Sequence, residues 1–551
     1  MAVVVGTSRL AAAQRWTDAT ATCLGTTAEW SNKVEVADID GDGLLDILIA
    51  NGGNYATAGT PEPVRVWKNL GGWDTTGSHC TEISAQAVLG FTGLSRVVKA
   101  VDVDGDGDLD ILTGGAHQTQ LRLYLRGATG WTDGSAQLPQ QATSAGDLEA
   151  GDVDGDGDLD LLIADWGAGN PQTSQGGRTK LYLNDGHGTF TDATADHMPA
   201  QLVKWSWEVE LVDVDNDWDL DALISCKLCT TSYLFRNDGT GHFTDDPTAL
   251  PHFTNNYDFE AMDIDGDGDL DLATINDGAQ VREHIFVNDG HGVFTDESPA
   301  RLTGTANPAN ADDNAAVWLD ADADGDADLL IGSLGAERLC LNDGHGVFTL
   351  SPDATPNDTS STLGIAAADL SGDGRLDLVN VQGEAAFPDK VQLGSSMVGV
   401  DTVAPVVTVE RLSGQATDGK IHARVHDFHS PSRTTDYQRV WLEHDGVAAA
   451  FESGPPPLTD VDMTWVGEYE WVSPVVRYAT HYRACATDAR GNKGCSEEVY
   501  VLSGADDIVP PDSPIGPGGN DGGGCCDAGH APTGSLIPIA IVALVLRRRR
   551  S

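Results

Sequence analysis

Basic residues are scarce in this chain of 551 residues: 32 lysines and arginines stand against 85 aspartates and glutamates, a formal net charge of −53. Phosphate binding needs a basic surface, so nucleic acid is excluded as a partner. Cysteine is scarce too. Nine residues are too few for a disulfide scaffold, and none has zinc spacing with histidine partners. Cys226 and Cys229 lie in an expected loop, SCKLCTT, and read as a structural disulfide or two inert thiols rather than half a zinc site. Cys485 and Cys495 flank an expected turn, ATDARGNKG, and are placed to bridge its strands; the odd total leaves a cysteine unpaired, with Cys340 the candidate. The chain also lacks GxSxG, HExxH and phosphate-loop motifs and a Cys–His pair in recognisable context, so no catalytic residue is assigned. A hydrophobic content of 40% nevertheless permits sizeable cores.

What is abundant is aspartate, in one string repeated seven times: ADIDGDGLLDILI, VDVDGDGDLDIL, GDVDGDGDLDLLI, VDVDNDWDLDALI, MDIDGDGDLDLAT, LDADADGDADLLI and ADLSGDGRLDLVN. Each fits D-x-D-x-D-G-x-x-D. The carboxylates at positions 1, 3 and 5 are expected to converge as the chain turns at the glycines, with a fourth at position 9 and the carbonyl of position 7. Five or more hard oxygen donors describe calcium better than magnesium. Without a cation the crowded carboxylates repel, and some must protonate.

The expected ligands are Asp38, Asp40, Asp42 and Asp46 in loop one, and Asp102, Asp104, Asp106 and Asp110 in loop two. Loop three offers Asp152, Asp154, Asp156 and Asp160; loop four Asp213, Asp215, Asp217 and Asp221. Loop five offers Asp263, Asp265, Asp267 and Asp271; loop six Asp320, Asp322, Asp324 and Asp328. Loop seven has Asp369, Ser371, Asp373 and Asp377. Up to seven calcium ions are expected. Loops four and seven are expected to bind more weakly, because Trp218 stands where glycine is wanted and Ser371 removes a charge. A helix-loop-helix calcium hand is excluded: position 12, its bidentate glutamate, is here Ile49, Thr113 or Ile163.

The first aspartates are spaced 49 to 64 residues apart, and most loops are followed by a second strand and a turn such as LYLNDGHGTFTDAT. Asn-Asp-Gly at a strand end is a hairpin signal. About four strands per unit, repeating at this period, predict propeller blades. Six outer-strand segments follow the loops; the seventh, RWTDAT at 15–20, precedes them all. The expected ring is therefore closed by its N-terminal strand, leaving no exposed edge.

On the nine-residue loop and the NDGxGxF turn, residues 15–402 resemble the FG-GAP/VCBS repeats of the integrin α-chain head and of bacterial surface proteins. The resemblance implies a seven-bladed β-propeller with calcium at the loop positions and an adhesive or ligand-binding role. Residues 403–504 resemble an Ig-like β-sandwich, completing an all-β fold class. Residues 505–535 form a Gly/Pro/Asp-rich linker with a cysteine motif, and 536–551 a short apolar segment and arginine tail. The eleven apolar residues LIPIAIVALVL span about 16 Å, short of a bilayer core. Together with Arg547–Arg550, this tail resembles a MYXO-CTERM sorting signal, which implies processing at Cys525 or Cys526; a plain tail anchor is the alternative. Residues 1–14 read as the remnant of an export signal.

The expected function is a monomeric, calcium-binding propeller at the cell surface or outer membrane, or released, held to the membrane through its tail and binding an extracellular protein or glycan. The alternative is a secreted polysaccharide-active hydrolase or lyase. Three residues before the first loop aspartate, four repeats carry Glu35, Glu149, Glu210 and Glu260, and the other three Lys99, Val317 and Ala366. The glutamates are expected either to gather as an acidic throat or to pair locally or face solvent.

Overall fold

Short apolar runs flank every aspartate loop, and each run becomes a strand because its alternate side chains are buried on a neighbouring sheet. The computed structural model describes residues 14–501 apart from 55–56, 277–281, 309–310, 353–360, 413–418, 446–457, 477–478 and 480. Two compact units divide the chain, Met1–Leu502 and Ser503–Ser551. The linker, arginine tail, Cys525 and Cys526 fall in the second and, like the segment 1–13, lie outside the described residues. Among the described residues no helix is long and apolar enough to cross a membrane.

The fold is nearly all β and propeller-like. Helix is confined, among the described residues, to three four-residue turns and three 3-10 turns. Seven four-stranded antiparallel sheets carry the seven loops. Their inner strands are Ser31–Ala37, Ser95–Val101, Ala145–Gly151, Val209–Val212, Asn256–Met262, Asp313–Leu319 and Thr362–Ala368. In every sheet the second strand begins on the position-9 aspartate, from Asp46–Asn51 in the first to Asp377–Gln382 in the seventh. Each inner strand packs against that of the next sheet, and the seventh packs against the first.

Asparagines of the NDG turns hold successive sheets together. Asn184 Nδ2 donates to Val103 O at 2.8 Å, Asn237 to Val153 O at 2.8 Å, Asn288 to Val214 O at 2.8 Å and Asn342 to Ile264 O at 3.0 Å. Each acceptor lies in the preceding loop. Asn69 of the first sheet reaches Leu370 O of the seventh loop at 2.9 Å, so the same bond joins last to first.

The strand Trp16–Asp18 pairs antiparallel with Lys390–Gly394 as the outer strand of the seventh sheet. Trp16 is fully buried, and its Nε1 donates to Leu376 O at 2.9 Å. Shortly beyond it, Cys23 is bonded to Cys80, the first residue of the outer strand of the first sheet. The closing strand is thus tied covalently across the seam. Loop-closure entropy at a separation of 57 residues makes this bond worth about 4 kcal/mol. Replacing both cysteines by serine is expected to lower unfolding free energy by that amount in denaturant titrations under oxidising conditions. An unchanged midpoint would show that the seam holds without it.

Residues beyond 403 form two further sheets. One runs Val406–Val409, His422–His426, Glu470–Val472, Thr464–Gly467; the other joins Thr459–Asp462, Tyr437–His444, His481–Asp488 and Lys493–Cys495, with Val499–Tyr500 also on His481–Asp488. They enclose a core that includes Val407, Ile421, Val425, Leu442, Trp471 and Tyr482. Cys485 and Cys495 are bonded between adjacent strands, Cys226 is bonded to Cys229, and Cys340 is buried and free.

This region sits on the loop side of the ring. Lys420 Nζ donates to Gly155 O at 2.9 Å, and Asp152 N to Val466 O at 2.7 Å. Tyr469 OH donates to Ala261 O at 2.9 Å, and Trp318 N to Ser430 Oγ at 3.0 Å.

Candidate metal centres

The loops close on their own carboxylates. Position 1 accepts backbone N–H groups from across the turn: Gly105 donates to Asp102 Oδ1 at 2.8 Å and Gly107 to Oδ2 at 2.9 Å. The same closure recurs at Asp38, Asp152 and Asp263, and through Asp324 and Gly325 onto Asp320 and Asp373 and Gly374 onto Asp369. Position 5 folds back on position 7: Asp108 N donates to Asp106 Oδ1 at 2.9 Å. In loop four Asn216 and Trp218 adopt φ of +63° and +72°, the left-handed conformation that glycine takes at the matching positions of loops one, two, three and five.

Position 9 has a second task that the spacing alone did not reveal. Asp160 is 1% exposed; it accepts Val153 N at 3.2 Å and Asn184 N at 2.8 Å, fastening its loop to the third strand of the sheet. Asp110, Asp328 and Asp377 make equivalent pairs of bonds. Burial pushes Asp160 up to about 8, against the lowering effect of the Asn184 N–H; Asp271 and Asp328 are raised to about 8 for the same reason. A bound cation would reverse that shift.

Acidic groups come within 4.8 Å of one another in seven clusters among the described residues, including Asp38–Asp40–Asp42, Asp102–Asp104–Asp110, Asp152–Asp154–Asp160, Asp213–Asp215–Asp217 and Asp263–Asp265–Asp271. Position 9 therefore joins the cluster in loops two, three and five, and position 5 in loops one and four. These groups are placed to hold metal ions. The fit is carried by position 3. Oδ1 of Asp40, Asp104, Asp215 and Asp265 is buried and accepts no hydrogen bond, a costly state for a carboxylate oxygen unless a cation faces it.

The loops differ in the fixed charges beside them. Lys68 Nζ contacts Asp40 and lies 2.8 Å from Asp42. Arg236 lies 2.8 Å from Asp215 and Arg301 2.8 Å from Asp265. Arg424, from beyond residue 403, lies 2.9 Å from Asp213, with both side chains buried. Arg490 lies 3.7 Å from Asp369, across loop seven. Among the described residues, no lysine or arginine nitrogen lies within 4 Å of the carboxylates at positions 1, 3, 5 and 9 of loops two, three and six; Arg126 lies 3.0 Å from Asp108, at position 7 of loop two.

The glutamates ahead of the loops do converge, and sequence reasoning missed the residues beside them. Inner strands alternate, so the residue two places earlier faces the same way. Sheets three, four and five thereby present Asp147 with Glu149, Glu208 with Glu210 and Asp258 with Glu260; sheets one and two present Lys33 with Glu35, and Lys99. All line one central cavity of about 100 Å³. Local pairing occurs as well: Lys99 Nζ lies 2.7 Å from Glu149. The D-x-E pattern of GDLEAGD and YDFEAMD was the available signal.

The biofilm matrix protein Bap1 of V. cholerae is 14% identical, covering 89% of this chain and 75% of its own at a TM-score of 0.32. An ancestral GH74 enzyme is 11% identical, covering 71% of this chain and 52% of its own at a TM-score of 0.40. Both likenesses are too distant to bear on function. No curated protein matches the sequence. Residues 102–163, 229–274, 263–331 and 320–379 match the FG-GAP-like repeat family, and these segments contain aspartate loops two, three, five, six and seven.

Proposed function

We propose that the chain is an exported, monomeric, seven-bladed propeller that binds calcium at its loops and an extracellular protein or glycan on its surface. The buried, partnerless position-3 oxygens carry the calcium reading. All-oxygen, multiply charged donor sets of this kind suit calcium. Loops two, three and six, with no lysine or arginine nitrogen within 4 Å of the carboxylates at positions 1, 3, 5 and 9, are the strongest sites; loop four, held by Arg424, is the weakest. The three disulfides support export, since such bonds persist in oxidising compartments.

The loop side of the ring is occupied by the sandwich, so the ligand meets the opposite face or the blade edges. The C-terminal tail is read as the membrane attachment, with Cys525 or Cys526 as the processing point; the mass of the surface form, with or without Arg547–Arg550, tests it. A screen of glycans and matrix proteins, in calcium and in chelator, tests the binding role. Calcium-dependent retention of a ligand without release of reducing ends is the expected result. Reducing-end release would instead establish the hydrolase, and unsaturated products the lyase.

A further inference from the structure

The charges around the central cavity are unequally distributed, and the imbalance is local. Lys33 Nζ lies 3.3 Å from Asp147 and 2.9 Å from Glu208, and Lys99 is taken by Glu149. Both lysines are thus committed to sheets three and four. Glu210, Asp258 and Glu260, on sheets four and five, have no lysine or arginine nitrogen within 4 Å among the described residues.

These three carboxylates share one small space. Glu210 Oε1 accepts Ala261 N at 3.2 Å, next to Glu260, and its Oε2 is buried without a partner. Asp258, which lines the cavity, is 4% exposed; its Oδ2 accepts Ala316 N at 3.1 Å, and its buried Oδ1 accepts nothing. Glu260 Oε2 accepts the hydroxyl of Ser430, which reaches in from the sandwich. Ser430, Pro431 and Glu468 cover the cavity on that side, so its walls come from both regions.

We propose that this cavity holds a divalent cation of the calcium type, bound by Glu210, Asp258 and Glu260, as a site separate from the aspartate loops. The donors are all anionic oxygens, which selects hard cations over zinc or copper. A volume of about 100 Å³ has room for a metal and several waters. The cation also has a structural consequence, because one of its ligands is bonded to Ser430. The ion would therefore stabilise the seating of the sandwich on the ring.

Protons are the competing neutraliser. Burial drives Glu210 and Glu260 well above the usual carboxylate range, with the neighbouring acids adding to it. The two solutions differ in the number of ions bound, and this is what the experiment counts. The full chain is desalted from calcium buffer, and calcium per chain is measured by inductively coupled plasma mass spectrometry. Glu210→Gln/Asp258→Asn is expected to carry one ion fewer than the wild type. Asp104→Asn is expected to lose the loop-two ion and keep this one, and the combined variant to lose two. The loop variant thus reports failure of the calcium-loop reading separately. Glu260→Gln is the second variant should the double one not fold, and it is expected to lose the same ion. An unchanged calcium count in either folded variant would overturn the site and leave protonation as the neutraliser.

Discussion

Melting in saturating calcium, about one hundred times the dissociation constant of the sites, is expected to occur ten degrees or more above melting in chelator. A site at one hundred times its dissociation constant adds about 2.7 kcal/mol. Loops two, three and six have no basic side chain within 4 Å of their carboxylates at positions 1, 3, 5 and 9, so at least three such terms apply, together about 8 kcal/mol. For a large domain, 1 kcal/mol moves the midpoint by roughly 2 °C. The direction follows from the carboxylates themselves. In chelator, acids such as Asp160, Asp271 and Asp328, raised to about 8 by burial, keep protons that calcium would displace. Calcium stabilisation should therefore weaken as pH falls below that range, because protons then compete for the same oxygens. Calorimetry with and without chelator at pH 6 and pH 8 checks both statements, and coincident traces at pH 8 would remove calcium from the account of stability.

Arg424→Ala is expected to cost about 3–5 kcal/mol, the usual result of removing one partner from a buried ion pair. The guanidinium is 3% exposed and lies between Asp213 at 2.9 Å and Glu470 at 3.2 Å, both equally hidden. It also donates to Asn216 Oδ1, Gly268 O and Asp213 O, so it joins the sandwich to loops four and five at once. Burial raises Glu470 to about 8 even with the arginine beside it, so without it both acids take protons or bind a metal. The loss should accordingly be smaller in calcium, which can reach the freed Asp213. Urea titrations of the variant with and without calcium measure the difference. An equal loss in both would show that loop four does not accept the ion.

The loops were legible because their logic is local. Aspartates at alternate positions with glycines between them specify a tight turn on carboxylate oxygens without help from elsewhere. Trp218 was recognisable as a residue in glycine's place for the same reason, and its φ of +72° bears this out. The second role of Asp160 was not legible, because one partner, Asn184, stands 24 residues away on another strand. Arg424 is more than 200 residues from Asp213, and no periodicity connects them. The central cavity was half legible. The glutamates three places before each loop showed in the repeats, but Asp147, Glu208 and Asp258 needed the two-residue alternation to be applied once more. Cys23 and Cys80 carry no turn signal between them; they meet only because the ring brings its first and last sheets together.

That meeting also fixes how the molecule carries tension. When the N-terminus is pulled, Trp16–Asp18 must first peel from Lys390–Gly394. The load then passes from Cys23 directly to Cys80 through sulfur, and the residues between them, a separation of 57 in sequence, with the first aspartate loop and three strands of the first sheet, lie outside the force path. Roughly 200 Å of contour length is thereby withheld from extension, so the oldest part of the ring in chain order is also the part that a tether at the N-terminus cannot draw out.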